Sequence, residues 1–262
     1  MKAPIRLALL AAFAASAAAS PAAALHDAAA LAFTQHPGAK LPQVQFRDAD
    51  GGRLSLRQAA GGLPLILILG YFRCPNLCAV TRASLYRALG AAALQPGRDY
   101  SLAAISIDPH EDARSAQEAK AADLAAFKTG GSSAALHYLT GDQADIDAVA
   151  AAVGFHDRWD YAARQFLHPA GITIATQDAR VSGYLLGVGY RPSAVRDAVF
   201  RAATGAPPAY ANPILLLCFH YDPSTGRYSV AVLKLMRLAA ILTVVMLLGV
   251  LYLLFRRERK PA

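Results

Sequence analysis

The feature that most constrains this chain is a pair of cysteines that directly follows an apolar segment typical of a buried β-strand. Leu65–Leu69 is an unbroken run of leucine and isoleucine, and Cys74 and Cys78 come shortly after it. A helical pattern over Ala79–Ala93 comes next. A helix that began near Cys74 would carry both sulfurs on one face, one turn apart. Two soft sulfur donors at a strand-to-helix junction suit either thiol chemistry or Cu(I).

Apolar runs and helical patterns alternate through the middle of the chain and predict one α/β domain over residues 43–204. Strands that alternate with helices, followed by a hairpin and a closing helix, indicate a sandwich with a mixed central sheet. A cysteine pair between a central strand and the next helix is the thioredoxin-like arrangement. The predicted strands are 43–46, 53–56, 65–69, 102–107, 136–139, 171–175 and 181–186, and the predicted helices are 79–93, 112–127, 142–153 and 192–203.

The N-terminus has the features of an export signal. Lys2 and Arg6 precede an apolar, alanine-rich segment that is too short to span a bilayer. Small residues before Leu25 form a cleavage site, so residues 1–24 are predicted to be a signal peptide and residues 25–42 a linker. An uncleaved membrane anchor is the alternative interpretation.

The C-terminus has the features of a membrane anchor. Leu238–Phe255 is 18 residues long and contains no charge. At about 1.5 Å per residue a helix of this length spans roughly 27 Å, close to the thickness of a hydrocarbon core. Four basic residues lie in the tail, residues 256–262, which predicts a cytoplasmic tail and a periplasmic domain on a single-pass inner-membrane helix. Residues 205–237 then form a juxtamembrane segment. A long buried helix in a soluble protein is the alternative.

The charge and cysteine content exclude two other classes of protein. The net charge of +8 does not indicate a nucleic-acid partner, because six of the 26 basic residues belong to the two termini, where export and topology explain them. Three cysteines in 262 residues are too few for a disulfide-stapled scaffold. Since an exported protein meets an oxidising compartment, a close cysteine pair there implies a dedicated chemistry.

A third metal donor is expected, because two cysteines rarely complete a Cu(I) site. Of the seven histidines, His168 is best placed. It precedes the predicted strand 171–175, and the loop before that strand lies beside the cysteines in a thioredoxin-like fold. His110, which follows a strand end, is a weaker candidate. Asp108 could accept a hydrogen bond near the site, whereas Asp112 could cap the helix that follows.

Taken together, these motifs resemble the Sco/SenC family over roughly residues 40–204. The resemblance is carried by Tyr71-Phe72-Arg73-Cys74-Pro75-Asn76-Leu77-Cys78, by Ile105-Ser106-Ile107-Asp108-Pro109 followed by Asp112, and by His168 before a strand. It implies a thioredoxin-like fold that binds copper through Cys74, Cys78 and His168, as Cu(I) and also as Cu(II).

The resemblance also implies a partner. Family members serve the assembly of the dinuclear copper centre in subunit II of cytochrome c oxidase, as copper donors, as thiol reductants of that subunit, or both. Such a protein is a metallochaperone in which Cys74 and Cys78 also form a redox-active pair. The sequence departs from the family pattern at Ala79, where a proline often stands, at Leu167 and Pro169 beside the histidine, and in its C-terminal anchor.

Two other functions would use the same cysteine pair. A general exported thiol-disulfide oxidoreductase needs only the two cysteines, whereas tight copper binding also needs His168. A thiol peroxidase shares the fold, but Tyr71 stands where such enzymes usually have threonine. Cys218 and His220 could form an accessory copper-handling pair near the bilayer, or be incidental residues of an apolar strand.

Overall fold

The computed structural model describes residues 33–74, 78–127, 130–161, 164–211, 221–222, 227–228 and 237–249. For Cys78, and for residues 221–222 and 227–228, it describes the backbone alone.

A mixed sheet of seven strands forms the centre of the domain. The described strands are β1 (Gln45–Asp48), β2 (Arg53–Ser55), β3 (Leu65–Gly70), β4 (Ser101–Ser106), β5 (Leu136–Thr140), β6 (Arg158–Asp160), β7 (Gln165–Leu167), β8 (Gly171–Ala175), β9 (Val181–Leu186), β10 (Tyr221–Asp222) and β11 (Arg227–Tyr228). The order in the large sheet is β2-β1-β5-β4-β3-β8-β9. β3, β4 and β5 are parallel, and the strands on either side pair antiparallel. β6 pairs with β7, and β10 with β11, in two separate hairpins.

Helices cover both faces of this sheet. Those described in the domain are α1 (Leu56–Ala60), α2 (Cys78–Ala91), α3 (Ala113–Ala126), α4 (Gln143–Val153) and α5 (Pro192–Ala203). Residues of α1 and α4 pack with Leu65, Leu67 and Leu69 on one face, and residues of α2, α3 and α5 pack with Ile66 and Ile68 on the other. Successive strand residues point to opposite faces, so a strand covered on both sides must be apolar throughout. The predicted α/β sandwich with a mixed central sheet is confirmed.

The helix after the cysteines begins later than a shared helical face would require. α2 starts at Cys78, and Cys74 lies in the loop before it. Pro75 accounts for this, because the ring of a proline disfavours helical backbone at the preceding residue. The condition for placing both sulfurs one turn apart on a single helix is therefore not met, and Cys74 belongs to the loop that ends β3.

Two small elements were not predicted from the sequence. α1 has only five residues, and a capping box between Ser55 and Gln58 supports its first turn. The β6–β7 hairpin has three residues in each strand and directly precedes His168. Both elements are shorter than the windows in which apolar periodicity can be recognised.

Residues 33–42, which the sequence assigns to the linker, pack onto the domain. Leu41 is buried, Thr34 N donates to Gly154 O, and Gly38 N donates to Val181 O. Gly154 has a positive φ of 63°, and a Cβ there would collide with the backbone of Thr34. This close approach explains a glycine at the end of α4.

The proposed export signal and the last six residues of the proposed anchor lie outside the described residues. Among the residues that the structure describes, no helix is both long and apolar enough to cross a bilayer. Residues 237–249 are helical, and their large apolar side chains are exposed. Residues 1–32 and 250–262 lie outside the described part of the chain, as do Cys218 and His220.

A buried ion pair joins α2 to α3 one turn after Cys78. Arg82 Nε donates to Asp123 Oδ2 at 2.6 Å, and both side chains are less than a tenth exposed. Tyr138 OH donates to the same carboxylate oxygen at 2.6 Å and lies 2.8 Å from Tyr86 OH. Burial raises the pKa of Tyr86 to about 12, so this hydroxyl keeps its proton at physiological pH. The network fixes the start of α2 relative to the sheet.

Replacing Asp123 should destabilise the fold strongly. Asp123→Asn removes the charge of the carboxylate that Arg82 Nε donates to, and breaking a buried pair in this way costs about 3 kcal/mol or more. Urea unfolding of the purified protein measures the loss. Glu118→Gln is the matched control on the same helix, because it breaks the exposed Arg114–Glu118 pair and should cost less than about 0.5 kcal/mol. Equal losses in the two variants would contradict the assignment.

Candidate metal centre

The loop that follows β3 carries Cys74 and packs against the core. Tyr71 is buried, Phe72 and Cys74 are half-buried, and Arg73 is exposed. Tyr71 and Cys74 contact the core on the face covered by α1 and α4, whereas Phe72 contacts the core on the opposite face. Side chains of the loop therefore pack on both faces of the sheet, and these contacts restrict its position.

A buried carboxylate binds the backbone of this loop. Glu111 Oε2 accepts a hydrogen bond from Phe72 N at 2.8 Å, and Oε1 accepts one from Arg73 N at 2.6 Å. Ser106 Oγ donates to Oε2 at 2.6 Å. Sequence analysis did not single out Glu111. The sequence feature that could have pointed to it is a cluster of acidic residues directly after β4. A sequence alone does not show which acid of such a cluster is buried.

The other polar residues of that cluster have local roles. Asp112 caps α3, with Oδ1 accepting from Ser115 N at 2.9 Å, and this bond holds the pKa of Asp112 below its usual value. Asp108 Oδ1 accepts from His110 N at 2.9 Å and also lies 2.9 Å from His110 Nδ1. The His110 side chain is 90% exposed. The structure thus supports capping by Asp112, and it pairs His110, the weaker ligand candidate, with Asp108.

The antiparallel pairing of β8 with β3 brings His168 to the cysteine loop. Leu65 pairs with Ala175 and Leu67 with Thr173, so the chain that enters β8 runs past the end of β3. The His168 ring lies 6.2 Å from the Tyr71 ring and 5.6 Å from the Phe155 ring, measured between centroids. His168 is therefore adjacent to the loop that carries Cys74, as the sequence predicted.

One crevice is shared by α2 and the His168 loop. Its walls come from the ends of β3 and β4, from the second turn of α2 and from the chain that enters β8. The lining residues are Ile68, Leu69, Gly70, Phe72, Thr81, Arg82, Ala104, Ile105, His168, Pro169, Ala170 and Gly171. The walls are mainly apolar.

A hydrogen bond selects which nitrogen of His168 can bind a metal. His168 Nδ1 lies 3.0 Å from Pro169 O. A carbonyl oxygen only accepts, so Nδ1 donates, and in the neutral tautomer that makes this bond the lone pair is on Nε2. This is the common arrangement of a metal-binding histidine, whose second nitrogen donates to a carbonyl or carboxylate.

The electrostatics near His168 include a partly buried carboxylate. Burial raises the pKa of Asp157 above its usual value, and this effect outweighs the nearby charge of His168, which acts in the opposite direction. Asp157 lies between α4 and β6. The site therefore places beside His168 an acid whose ionisation is disfavoured by burial.

The donor set fits Cu(I). Two thiolates and a neutral imidazole are soft or borderline ligands that suit Cu(I), whereas hard cations prefer oxygen. Within the described residues, no three side chains of the types His, Cys, Asp or Glu cluster as a metal site. The side chain of Cys78 lies outside that part of the structure.

Comparison with solved structures identifies the fold. A putative electron transfer protein from Aquifex aeolicus VF5 is similar with a TM-score of 0.58 at 18% identity, over 64% of this chain and 95% of that chain. Arabidopsis thaliana ScoI, solved with copper bound, has a TM-score of 0.50 at 17% identity, over 64% and 98% of the chains. BsSco, a member of the Sco family of cytochrome c oxidase assembly proteins with an identified disulfide switch, has a TM-score of 0.50 at 18% identity, over 65% and 97%.

The sequence itself supports a more specific assignment. No curated protein sequence matches the chain. The SCO1/SenC family model, however, matches residues 34–203, which include both cysteines, Glu111 and His168. Since this match covers well over half of the sequence, the chain belongs to the SCO1/SenC family.

Proposed function

We propose that this protein is a membrane-tethered periplasmic copper-binding factor for the assembly of cytochrome c oxidase. Cys74, Cys78 and His168 hold Cu(I), which the protein delivers to the dinuclear copper site of subunit II. The same cysteine pair also reduces the cysteines of that site. The observation that carries this proposal is the position of His168, whose ring packs on Tyr71 of the Cys74 loop and whose Nδ1 is bound to Pro169 O.

The second cysteine has a favourable electrostatic position for this role. Cys78 is the first residue of α2, and the first turn of α2 contains no acidic residue. The positive end of a helix stabilises a thiolate, and no carboxylate in this turn offsets it. Positions 78, 81 and 82 follow helical spacing, and Thr81 and Arg82 line the crevice that also contains His168.

Copper is the cargo of this protein rather than a resident cofactor. A three-coordinate Cu(I) site with a soft donor set accepts an incoming thiolate from another protein, and ligand exchange then transfers the ion one donor at a time. The half-buried state of Cys74 suits such exchange, because the loop holds the residue in place while it remains partly accessible. The copper-bound Arabidopsis ScoI has the same fold, which supports copper as the ion.

Reduction of the acceptor requires only the two thiols. The thiolate of one cysteine attacks a disulfide of the acceptor and forms a mixed disulfide, and the second cysteine then displaces the acceptor. The acceptor gains two electrons and two protons, and Cys74 and Cys78 become a disulfide. A general exported thiol-disulfide oxidoreductase is the second candidate, and the disulfide switch of BsSco favours including it. His168 discriminates, because thiol exchange does not need a third ligand.

Variants of the three ligands test the copper site. Cys74→Ser and Cys78→Ser should each abolish tight Cu(I) binding, because each removes a soft donor. His168→Ala should lower the affinity by about tenfold or more. Competition with a Cu(I) chelator under reducing conditions measures the affinity.

His110→Ala is the matched control for the histidine, because His110 is exposed and paired with Asp108. It should bind Cu(I) as the unaltered protein does. Full affinity in His168→Ala would remove His168 from the ligand set and favour the oxidoreductase.

The tether is the second part of the proposal and predicts the topology. Exposed side chains on helical residues 237–249 include Leu242, Val245 and Met246, and such a surface is stable against lipid but costly in water. A reporter that works only in the cytoplasm should be active when fused after Ala262 and inactive when fused after Gly205. A strictly periplasmic reporter should give the opposite pattern. The same pattern at both positions would contradict a membrane crossing between them.

Loss of the protein should impair the oxidase when copper is scarce. A tether confines the domain near other membrane proteins and raises its effective concentration there. Deletion should therefore lower cytochrome c oxidase activity and the copper content of subunit II, and added copper should partly restore both. Cys74→Ser should match the deletion, whereas truncation before Leu235 should be milder because it keeps the ligands. A fully metallated oxidase in copper-poor medium after deletion would favour a general dithiol reductase.

A further inference from the structure

We propose that Glu111 is a positioning residue, which fixes the Cys74 loop in the conformation that binds copper and exchanges thiols. The copper part of this inference rests on the proposed function, whereas its thiol part does not. The hydrogen bonds that the structure describes for the Glu111 carboxylate come from Phe72 N, Arg73 N and Ser106 Oγ, so its effect acts through the backbone that it binds.

The Glu111 carboxylate accepts hydrogen bonds from backbone N–H groups that lie beyond the pairing of β3 with β4. The hydrogen bond from Ile107 N to Gly70 O, 2.8 Å long, is the last one between the chains of β3 and β4. Phe72 and Arg73 come just after it, and buried backbone N–H groups need acceptors. Both donate to Glu111, at 2.8 and 2.6 Å. One side chain thus extends the ordered backbone from the end of β3 to the residue before Cys74.

Glu111 is itself held from two sides, which gives the loop a rigid support. Its side chain accepts from Ser106 Oγ, at the end of β4, and its backbone N donates to Asp108 O at 3.1 Å. Asp112, the next residue, caps α3. The carboxylate therefore lies between a central strand and a helix start, and a site supported by such elements keeps its geometry better than one on a free loop.

The chemistry of the contact requires an ionised carboxylate rather than an amide. Three donors converge on two oxygens of Glu111, which is only 6% exposed. An ionised carboxylate accepts at both oxygens, and such charge-assisted hydrogen bonds are stronger than neutral ones. A glutamine of the same shape would place its NH2 group against a donor. Glu111→Gln therefore removes the function of the side chain while it preserves its volume.

Two measurements on purified protein test the inference. In a Cys78→Ser, Cys218→Ser background, Cys74 is the single thiol. Adding Glu111→Gln to this background should raise the rate at which iodoacetamide alkylates Cys74 by roughly tenfold. The reason is that the loop opens more often once one charge-assisted hydrogen bond is lost. In the otherwise unaltered protein, Glu111→Gln should lower Cu(I) affinity by about tenfold, the usual effect of losing a group that orients a ligand.

Two control variants separate positioning from general stability. Glu118→Gln makes the same chemical change at an exposed position of α3 and should change neither rate nor affinity. Val199→Ala opens a small cavity in the buried face of α5 and lowers the melting temperature without touching the loop. Equal effects of Glu111→Gln and Glu118→Gln would overturn the inference. The inference would also be overturned if Val199→Ala, at the same loss of melting temperature, changed the alkylation rate of Cys74 and the Cu(I) affinity as much as Glu111→Gln does.

A milder variant keeps the test decisive if Glu111→Gln fails to fold. Ser106→Ala removes one of the three bonds to the carboxylate, and it should shift the alkylation rate in the same direction by a smaller factor. An unchanged rate would then overturn the inference. If the unaltered protein binds no Cu(I), the proposed function fails, and the alkylation rates alone decide the role of Glu111.

Discussion

The parallel pairing of β3 with β4 decides where this protein can do chemistry. Parallel strands end at one edge of the sheet, and the loops after them meet there. β8 pairs antiparallel with β3, so it begins at the same edge. The Cys74 loop, the Glu111 loop and the His168 loop therefore converge, although each comes from a different part of the sequence. The apolar strands that enforce this pairing are buried on both faces, and their packing thereby fixes the site.

Two buried charged groups stabilise the backbone segments that carry the cysteines. The guanidinium of Arg82 is neutralised by Asp123, and the carboxylate of Glu111 is surrounded by N–H and O–H donors. Buried charges are tolerated when they are compensated in this way, and each compensated group then specifies one arrangement of its neighbours. Arg82 fixes the start of α2 and Glu111 fixes the loop before it. The cysteine segment is thus held by separate polar anchors, Glu111 at the residues before Cys74 and Arg82 one turn after Cys78.

The sequence predicted the large elements well, because each carries a strong periodic pattern. The predicted helix 192–203 matches α5, and the strands 171–175 and 181–186 match β8 and β9. It also predicted that His168 lies beside the cysteine loop, since this follows from the fold. The roles of Glu111 and Asp123 were not predicted. The burial of both acids depends on contacts between elements that no local pattern records. The sequence left open whether the helix begins near Cys74, although Pro75 was a local signal that Cys74 lies in the loop.

The coordination of the copper ion tests the central claim most directly. X-ray absorption spectroscopy at the copper edge, on the reduced protein loaded with one equivalent of Cu(I), counts the sulfur and nitrogen neighbours of the metal. The proposed site predicts two sulfur neighbours and one imidazole nitrogen, and it predicts that the nitrogen disappears in His168→Ala. A spectrum with sulfur neighbours alone in the unaltered protein, or one that His168→Ala leaves unchanged, would contradict the account.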